Sequence, residues 1–451
     1  MAVEKEIIVA VEFGSSKIRG VAGCKNIDGS VQVLDIEQVD ARHCIRKGVV
    51  YNIDKTVMCL KHIVDKMENA LDMRVRKVFV GIGGQSLRAK KNTVSRQFAT
   101  KTVVSQELVD SLLKTNRNTV YAGYEILEVV PQEYHVGLDT TVDPVGVLSS
   151  QIDGTYLNII AKTEIKEYIL KCVEAVGLDV AGMFVAPMAL AGCVLLTDTE
   201  KRSGCALVDF GYGTTTVAVY KGNLLRHLAV IPLGGNNITQ DLCSLQIDED
   251  EAEGLKMKYG SAYSDLSSEE LAKNLLVNNG RTIEERLLVD IVEAREEEIL
   301  SNVAAQIRNS GYQDKLLAGI VISGAASNVK NLDKAASVRL HPDKTRFARI
   351  VPFALQAVHA EQVVKDGSLN TLLALMNEGN QNCVEPKVVV KEEVPEEVVE
   401  EKDIPQTAPS FVPVEETHKE VYEREEPKNK GGIWKKFKEK LVDLTKTVTE
   451  E

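Results

Sequence analysis

The feature that most constrains the fold is a strand–turn–strand pattern that occurs twice in the chain. At residues 205–220 the sequence CALVDFGYGTTTVAVY starts apolar, reaches Asp209, turns at a Gly-x-Gly segment and continues in β-branched residues, which favour strands. Residues 7–21, IIVAVEFGSSKIRGV, follow the same order with Glu12 at the acidic position. Two related hairpins predict a duplicated α/β protein with a nucleotide between its halves.

Both turns are suited to phosphate. Glycine lets the backbone approach a ligand closely, so that N–H groups and neighbouring hydroxyls can surround a phosphate. Glu12 and Asp209, each at a strand end, can hold Mg²⁺ through water because this ion prefers oxygen ligands and keeps its waters. The alternative is a pair of ordinary hairpins, since such short strings also arise by chance.

A third stretch belongs to the same prediction. Residues 319–332, GIVISGAASNVKNL, have the pattern of a buried strand, a turn of small residues and a helix. The turn residues Gly324, Ala325 and Ala326 would let the backbone lie flat against an adenine or a ribose.

Two further segments carry possible ligand groups. Gly234 and Gly235 precede a predicted helix, whose N-terminus would offer N–H donors and a positive dipole to phosphates; a plain helix cap is the alternative. Glu253 and Lys256, three residues apart, share one helix face. An exposed ion pair is the alternative interpretation of that pair.

These stretches resemble the actin/Hsp70/sugar-kinase superfamily, and other strings narrow the resemblance to FtsA, the actin-like family of bacterial cell-division proteins. The resemblance covers roughly residues 6–377 and the last twenty residues. The strings that carry it are VVPQEY at 129–134, DPVGVLSS at 143–150, VAPMALAGCVLLTDTEKRSGCALVDFG from Val185, IPLGGNNITQDL at 231–242 and AEGLKMKYGSA at 252–262.

The resemblance implies that ATP and Mg²⁺ bind between two actin-like lobes, with Glu12 and Asp209 positioning the hydrated metal. It also implies that Glu253 and Lys256 reach the ribose and adenine. The nucleotide-binding residues that it predicts are Gly14, Ser15, Ser16, Lys17, Gly211, Gly213, Thr214, Thr215, Gly234, Gly235, Glu253, Lys256, Gly324 and Ala325.

The chain departs from the family pattern at two places. The turn at 324–326 has fewer glycines than the usual family turn. Actin-like ATPases also offer a glutamine or similar group that orients the attacking water, whereas the matching string here is Pro187-Met188-Ala189. We therefore expect nucleotide binding with at most slow hydrolysis.

The expected fold class is α/β, a duplicated actin-like ATPase fold with two lobes and an inserted small α+β subdomain, followed by a disordered linker and an amphipathic helix. In the family the inserted subdomain carries contacts between protomers and with later division proteins; a solvent-exposed domain without partners is the alternative. The expected boundaries are 1–82 and 162–204 for lobe I, 83–161 for the insertion, 205–378 for lobe II, 379–430 for the linker and 431–449 for the helix.

Composition excludes several other classes of protein. The net charge of −12 argues against a general nucleic-acid binder. Eight cysteines contain no CxxC pair and no Cys/His cluster, which argues against a disulfide framework or a zinc site. An acidic N-terminus that enters a strand at Glu6 predicts no signal peptide, and no apolar run reaches about 18 residues, so we expect a cytosolic protein.

The C-terminal region changes character twice. Residues 377–427 are rich in acids and interrupted by prolines, which is linker composition; about fifty residues span roughly 40 Å as a flexible chain. Residues 428–440 then contain six lysines and one acid. At about 100° per residue a cationic helix with one apolar stripe is predicted, formed by Ile433, Trp434, Phe437, Leu441 and Leu444, with Lys435 and Lys436 on the polar side.

Such a helix favours a membrane interface, and docking in a protein groove is the alternative. The resemblance implies FtsZ, other copies of the chain, anionic inner-membrane lipid and later division proteins as partners, at the inner face of the cytoplasmic membrane and at the septum. Two alternatives share the fold: a sugar or acid kinase, which would need a catalytic carboxylate at a sugar pocket, and a pilus-assembly actin homologue, whose family lacks the terminal helix.

Overall fold

A computed structural model describes residues 6–265, 273–278, 280–340, 344–353 and 355–387. The predicted membrane helix at 431–449 and most of the predicted linker lie outside these residues, and both remain predictions.

The strands of the described chain are β1 (Ile8–Phe13), β2 (Lys17–Lys25), β3 (Val31–Asp40), β4 (Ile45–Arg46), β5 (Val49–Val50), β6 (Met73–Val75), β7 (Lys77–Ile82), β8 (Arg88–Val103), β9 (Tyr124–Val136), β10 (Asp139–Thr141), β11 (Leu148–Lys162), β12 (Asp179–Val185), β13 (Cys205–Phe210), β14 (Thr215–Lys221), β15 (Leu224–Ile231), β16 (Asn274–Leu276), β17 (Thr282–Glu284), β18 (Gly319–Ser323), β19 (Thr345–Phe347), β20 (Leu355–Ala357) and β21 (Val384–Pro386).

The α-helices are α1 (Ile53–Leu71), α2 (Gln106–Arg117), α3 (Thr163–Ala175), α4 (Ala186–Val194), α5 (Gly235–Cys243), α6 (Glu249–Tyr259), α7 (Glu285–Asn309), α8 (Leu332–Leu340) and α9 (Asn370–Glu378). Single turns of tighter or wider helix occur at Thr197–Lys201, Gln313–Lys315, Ala325–Asn328 and Ala360–Gln362.

Two sheets with the same connectivity form the two lobes. In lobe I the order is β12-β7-β1-β2-β3-β20, with β1, β2 and β3 antiparallel and β7 and β12 parallel to β1. In lobe II the order β15-β14-β13-β18-β19 repeats this arrangement, with β18 and β19 parallel to β13. The duplication that the two hairpins predicted is therefore confirmed at the level of sheet topology.

The faces of the lobe I sheet are separated by strand periodicity. Arg19 and Gly20 are consecutive on β2 and so point to opposite faces. A Cβ on Gly20 would lie 2.7 Å from Ile63 of α1, so α1 covers that face. On the other face a Cβ on Gly81 would lie 2.7 Å from Leu375, so α9 packs there and leaves the rest of that face to the cleft between the lobes.

The insertion is a small α+β unit, as predicted. It consists of β8 to β11 and α2, and its own apolar core includes Leu112, Tyr134 and Tyr156. Its sheet joins that of lobe II through one pair, Ala229 with Arg88. Pro131 lies on β9 beyond the short partner strand β10 and beside an irregularity in β11, which fits a residue without an N–H donor.

Two predicted boundaries differ from the structure. The helix expected directly after the turn at 324–326 starts only at Leu332, because one 3₁₀ turn (Ala325–Asn328) and three further residues intervene. The fold also continues past 378: Cys383 is buried and β21 pairs with β6. The predicted linker therefore starts too early, since Val384 is fixed by a strand about three hundred residues upstream.

Candidate nucleotide-binding cleft

A cleft of about 690 Å³ lies between the two lobes, within the range of small-molecule sites. Both hairpin turns and the third turn line it, together with residues of α5 and α6. Of the predicted nucleotide and metal residues, those that line the cleft are Glu12, Gly14, Ser15, Ser16, Lys17, Asp209, Gly211, Gly213, Thr214, Gly235, Glu253, Lys256, Gly324 and Ala325.

The two hairpins have the same local geometry. The N–H of Gly14 donates to the carbonyl of Lys17 at 3.1 Å, and the N–H of Gly211 donates to that of Thr214 at 2.8 Å. The hairpins also meet, because a Cβ on Gly213 would lie 2.9 Å from Ser15 Oγ. Glycine at these turns therefore keeps the backbone open toward the cleft and lets the two halves of the site touch.

The third turn closes on the acid of the second hairpin. Gly324 has a φ of +92°, and a Cβ there would lie 2.6 Å from Asp209 Oδ1 and 2.4 Å from the carbonyl oxygen of Phe210. A side chain would be strained in this conformation and would also collide with the carboxylate. Gly324 is therefore the one position of this turn that requires glycine, and the two alanines that follow it are tolerated.

Thr215 and Gly234 do not line the cleft. Thr215 is fully buried, and its hydroxyl donates to the carbonyl of Leu233 at 2.9 Å. Because side chains alternate along β14, its neighbours Thr214 and Thr216 face the cleft instead. Gly234 packs behind the second hairpin, where a Cβ would lie 2.5 Å from the carbonyl oxygen of Gly211.

The N-terminus of α5 supports the hairpin rather than a phosphate. Its first N–H groups are already paired: Gly235 donates to Gly211 O at 3.1 Å, Asn236 to Tyr212 O at 2.7 Å and Asn237 to Gly234 O at 2.9 Å. The Asn237 side chain accepts from the N–H of Gly234. The capping alternative therefore describes this segment better than the phosphate-donor prediction.

Glu253 and Lys256 form an internal network at the cleft wall. Lys256 is 4% exposed, and its ammonium donates to Gly235 O at 3.1 Å, Thr239 Oγ1 at 2.9 Å and Glu253 Oε2 at 2.6 Å. All three of its donors are thus used. Lys256 ties α6 to α5 and orients Glu253, which stays partly exposed to the cleft.

Glu12 and Asp209, the acids of the two hairpins, differ in charge compensation. Burial and, to a smaller extent, the nearby Glu12 carboxylate together raise the pKa of Asp209 to about 7. Burial also raises the pKa of Glu12, but the Arg19 guanidinium, 3.5 Å away, opposes that rise. Two acids at which burial and mutual repulsion disfavour the charged form provide a place where a cation is favourable.

Met188 is not the cleft residue of α4. It lines a separate cavity with Phe184 and Glu378, whereas Ala186 and Pro187 face the cleft. The predicted position of Met188 is corrected, but the consequence is unchanged, because neither an alanine nor a proline side chain can orient a water molecule by a hydrogen bond.

Several cleft residues were missed by sequence reasoning. Two of them are charged, Arg19 and Asp366. Arg19 follows Lys17 by two residues and so shares its strand face, a period that the sequence already contained. The segment Asp366-Gly367-Ser368 has turn composition that could have been noticed. The remaining ones depend on tertiary packing: Ile36, Gln38, Gly48, Gly81, Gly83, Gly84, Tyr212, Thr216, Met257, Asn328, Val329, Gln362, Val364, Leu369 and Thr371.

One ion-pair network joins the lobes at the rim of the cleft. Arg42, between β3 and β4, donates to Asp250 of α6 at 2.9 Å and binds Asp40 at 2.6 Å. Glu249, beside Asp250, accepts from the hydroxyl of Tyr212 in the second hairpin at 2.8 Å. Side chains thus connect lobe I to α6 of lobe II, and α6 to the second hairpin.

Other site types are not found in the part of the chain that the structure covers. Among the described residues no three or more His, Cys, Asp or Glu side chains are grouped so that they could hold a metal alone. None of the described helices combines the length and apolar character that crossing a membrane requires. All eight cysteines are free thiols, and six are buried.

Two family models match the chain. The family described as "Cell division protein FtsA" matches residues 206–372, and "SHS2 domain inserted in FTSA" matches residues 84–160, which corresponds to the insertion.

Curated relatives extend this similarity over most of the chain. "Cell division protein FtsA" of Porphyromonas gingivalis is 30% identical over 353 residues, covering 76% of this chain and 74% of that protein. Its namesake in Bacillus subtilis is 30% identical over 71% of this chain and 73% of its own. "Cell division protein FtsA" of Pseudomonas aeruginosa is 29% identical, covering 74% of this chain and 81% of that protein.

Similarity to solved structures concerns the fold alone. A chain of the "PilM-PilN type IV pilus biogenesis complex" superposes with a TM-score of 0.56 at 14% identity, covering 82% of this chain and 98% of that one. The two-lobed architecture is thus the actin-like fold that the sequence predicted.

Proposed function

The chain belongs to the FtsA family of cell-division proteins, and from this premise we propose that it binds ATP, assembles into filaments on the inner face of the cytoplasmic membrane and tethers FtsZ filaments there. The observation that carries the nucleotide part of this proposal is the meeting of two glycine-containing hairpins at the base of one cleft. The membrane part rests on the sequence of residues 428–449.

The cleft fits a nucleotide in volume and in chemistry. The backbone at Gly14 and Gly211 is open, and hydroxyls of Ser15, Ser16 and Thr214 line the same space. Lys17 adds a positive charge there, and burial lowers its pKa, with Arg19 lowering it further. Phosphate groups would relieve the repulsion between these two cations, which supports an anionic ligand.

Mg²⁺ fits the same site as a hydrated ion. Glu12 and Asp209 are close enough that the charge of Glu12 raises the pKa of Asp209. Mg²⁺ is commonly held by one or two carboxylates, waters and substrate phosphates. When bound, the ion would neutralise phosphate charge, while Glu12 and Asp209 would orient its waters.

Calorimetric titration of ATP with Mg²⁺ tests the nucleotide part. We expect saturable binding and, because α4 presents only Ala186 and Pro187 to the cleft, a slow release of phosphate. Absence of ATP binding would contradict the proposal. Rapid phosphate release by pure protein would show that another cleft residue orients the water, and phosphorylation of a common sugar in a coupled assay would favour the kinase alternative.

Attachment to the membrane is proposed to depend on assembly. Each large apolar side chain contributes roughly 1.5–3 kcal/mol at full burial and each lysine near anionic lipid about 1 kcal/mol. Partial burial and helix ordering offset much of this. One tail should therefore bind reversibly, whereas a filament presents many tails at high effective concentration. ATP would promote both assembly and membrane binding.

Flotation with anionic liposomes tests the tail. Trp434→Glu with Phe437→Glu should release the protein, because both substitutions charge the apolar stripe. Val442→Glu with Thr449→Glu is a matched control: it adds the same charge but lies on the opposite side, at roughly 120–140° from the stripe centre. The first variant should keep ATP and FtsZ binding. If it still floats, the tail is a protein-docking helix.

The role of the insertion is proposed from the family alone. It would carry contacts between protomers and with later division proteins, and the assembled filament would lie at the septum. A pull-down with the insertion deleted between residues 83 and 161, compared with the intact chain, tests this. Unchanged filament formation and unchanged partner capture would contradict it.

A further inference from the structure

Arg19 lies in a row of side chains across the cleft face of the lobe I sheet. Direct cross-strand pairing sets Gly81 beside Glu12, Glu12 beside Arg19, and Arg19 beside Gln38. All four residues line the cleft. Lys17 precedes Arg19 by two positions on the same strand, so the two cations share one face.

The guanidinium is held loosely. Its Nη1 approaches Glu12 Oε2 at 3.5 Å, which is long compared with a charge-assisted hydrogen bond of about 2.7–2.9 Å. Its Nε is buried, and it meets no hydrogen-bond partner among the described residues. An arginine has five N–H donors, so most of its donor capacity remains available although the side chain is only 14% exposed.

The charges of the site make such a group useful. Four acidic residues, Glu12, Asp209, Glu253 and Asp366, line the cleft, against three basic ones, Lys17, Arg19 and Lys256. Guanidinium groups pair with phosphate oxygens through two parallel N–H donors, whereas an ammonium acts as a point charge. Without Arg19, two basic residues would face four acidic ones, so that phosphates would depend more strongly on a metal ion.

We propose that Arg19 is a phosphate ligand of the nucleotide and supplies part of the positive charge that Mg²⁺ otherwise supplies, so that this cleft retains nucleotide without the metal. The inference rests on the proposed nucleotide binding and deepens it. The competing role is structural: Arg19 would only neutralise Glu12.

The test is the dissociation constant of ATP measured calorimetrically in Mg²⁺ and in excess EDTA. For Arg19→Ala we expect a loss of affinity of about tenfold or more in EDTA, the size of a charge-assisted hydrogen bond, and a smaller loss in Mg²⁺. Arg19→Lys should restore part of it. Arg74→Ala, an exposed arginine on β6 of the same lobe, is the control and should change neither value.

The same measurement in a Glu12→Gln protein separates phosphate binding by Arg19 from neutralisation of Glu12. If Arg19 only neutralises Glu12, then Arg19→Ala should cost nothing in a Glu12→Gln protein; if it binds phosphate, the loss in EDTA persists there. Adenosine, which lacks phosphate, should bind equally to the wild type and to Arg19→Ala. Equal losses in EDTA and Mg²⁺, no loss, or a loss of adenosine binding overturn the inference. Failure of the wild type to bind ATP under either condition overturns the proposed function instead.

Discussion

The two hairpins that line the cleft share their backbone geometry but differ at one register position. In the first hairpin Glu12 pairs across the strands with Arg19; in the second, Asp209 pairs with Thr216. The acid of lobe I therefore has a cation beside it, and the acid of lobe II has a neutral hydroxyl residue at the same place. Burial raises the pKa of both acids, but only Glu12 has an opposing cation.

The hairpins also differ in their support. The first is held by the loop after β3, where Ala41 N–H donates to Ser16 O and Gly48 N–H donates to Ser15 Oγ. The second is held by the N-terminus of α5, with Gly234 packed against its backbone. A duplicated backbone thus keeps its geometry with different supports, and the two hairpins differ in charge: the one in lobe I pairs its acid with a cation, and the one in lobe II does not.

The largest expected effect follows from removing Asp209, the acid that pairs across the strands with a threonine and not with a cation. Asp209→Ala should weaken binding of ATP in the presence of Mg²⁺ by on the order of 100-fold, the upper range for residues that position a metal. Glu12→Ala should weaken it less, by about tenfold, because loss of this acid also frees Arg19 for phosphate. Calorimetry in Mg²⁺ and in EDTA measures both.

Calorimetry can contradict two parts of this prediction: that Asp209→Ala weakens binding at all, and that it does so more than Glu12→Ala. Equal affinities of wild type and Asp209→Ala in Mg²⁺ would refute the metal assignment. A larger loss for Glu12→Ala than for Asp209→Ala would show that the two hairpins do not divide their roles as their pairing suggests.

A second prediction concerns the support of the lobe II hairpin. In Gly234→Ala the new Cβ would lie within 2.8 Å of backbone atoms of Gly211, Tyr212 and Thr214. Because backbone cannot move aside cheaply, we expect a loss of unfolding free energy of about 1–3 kcal/mol and weaker ATP binding. Urea unfolding followed by circular dichroism measures the first.

Gly254→Ala provides the control with the opposite sign. Gly254 lies inside α6, and a Cβ there meets no atom within 4 Å. Alanine should therefore stabilise the helix by about 0.5–1 kcal/mol and leave ATP binding unchanged. Equal free energies of unfolding for Gly234→Ala and Gly254→Ala would show that close packing behind the hairpin does not explain the glycine at 234.

The parts of the fold that the sequence predicted are those with local patterns. Both hairpins, the duplication and the insertion follow from strand periodicity and from turn residues. Errors arose where phase or distance mattered. Thr215 was assigned to the cleft because the string of threonines gives no phase, whereas in the fold the alternation along β14 turns it to the opposite side.

The position of β21 could not be read locally, because its partner strand β6 is remote in sequence. The pairing of Glu12 with Arg19 is intermediate: both residues stand in one hairpin, so a strict count of the turn would have brought them together. The charges of the site were therefore more predictable than the packing behind it.

The smallest effect is a pH dependence that separates two buried acids. The folded-state pKa of Asp209, about 7, exceeds its ordinary value of 3.8, so folding stability falls as pH rises between these values, since the unfolded chain loses a proton that the folded one keeps. Below about 7, Mg²⁺ must displace that proton, and its affinity in the presence of ATP should fall by up to about tenfold per pH unit.

Thermal unfolding from pH 6 to 8, with and without Mg²⁺–ATP, tests this. The gain in melting temperature on adding the ligand should increase with pH in wild type and be nearly constant in Asp209→Asn.

Burial also raises the pKa of Glu296 to about 8, but Glu296 does not line the cleft. Glu296→Gln should therefore raise the stability of the free protein above neutral pH and leave the Mg²⁺-dependent gain unchanged. If Glu296→Gln instead abolished that gain, the proton released on ligand binding would come from α7, and Asp209 would not be the acid that distinguishes the second hairpin from the first.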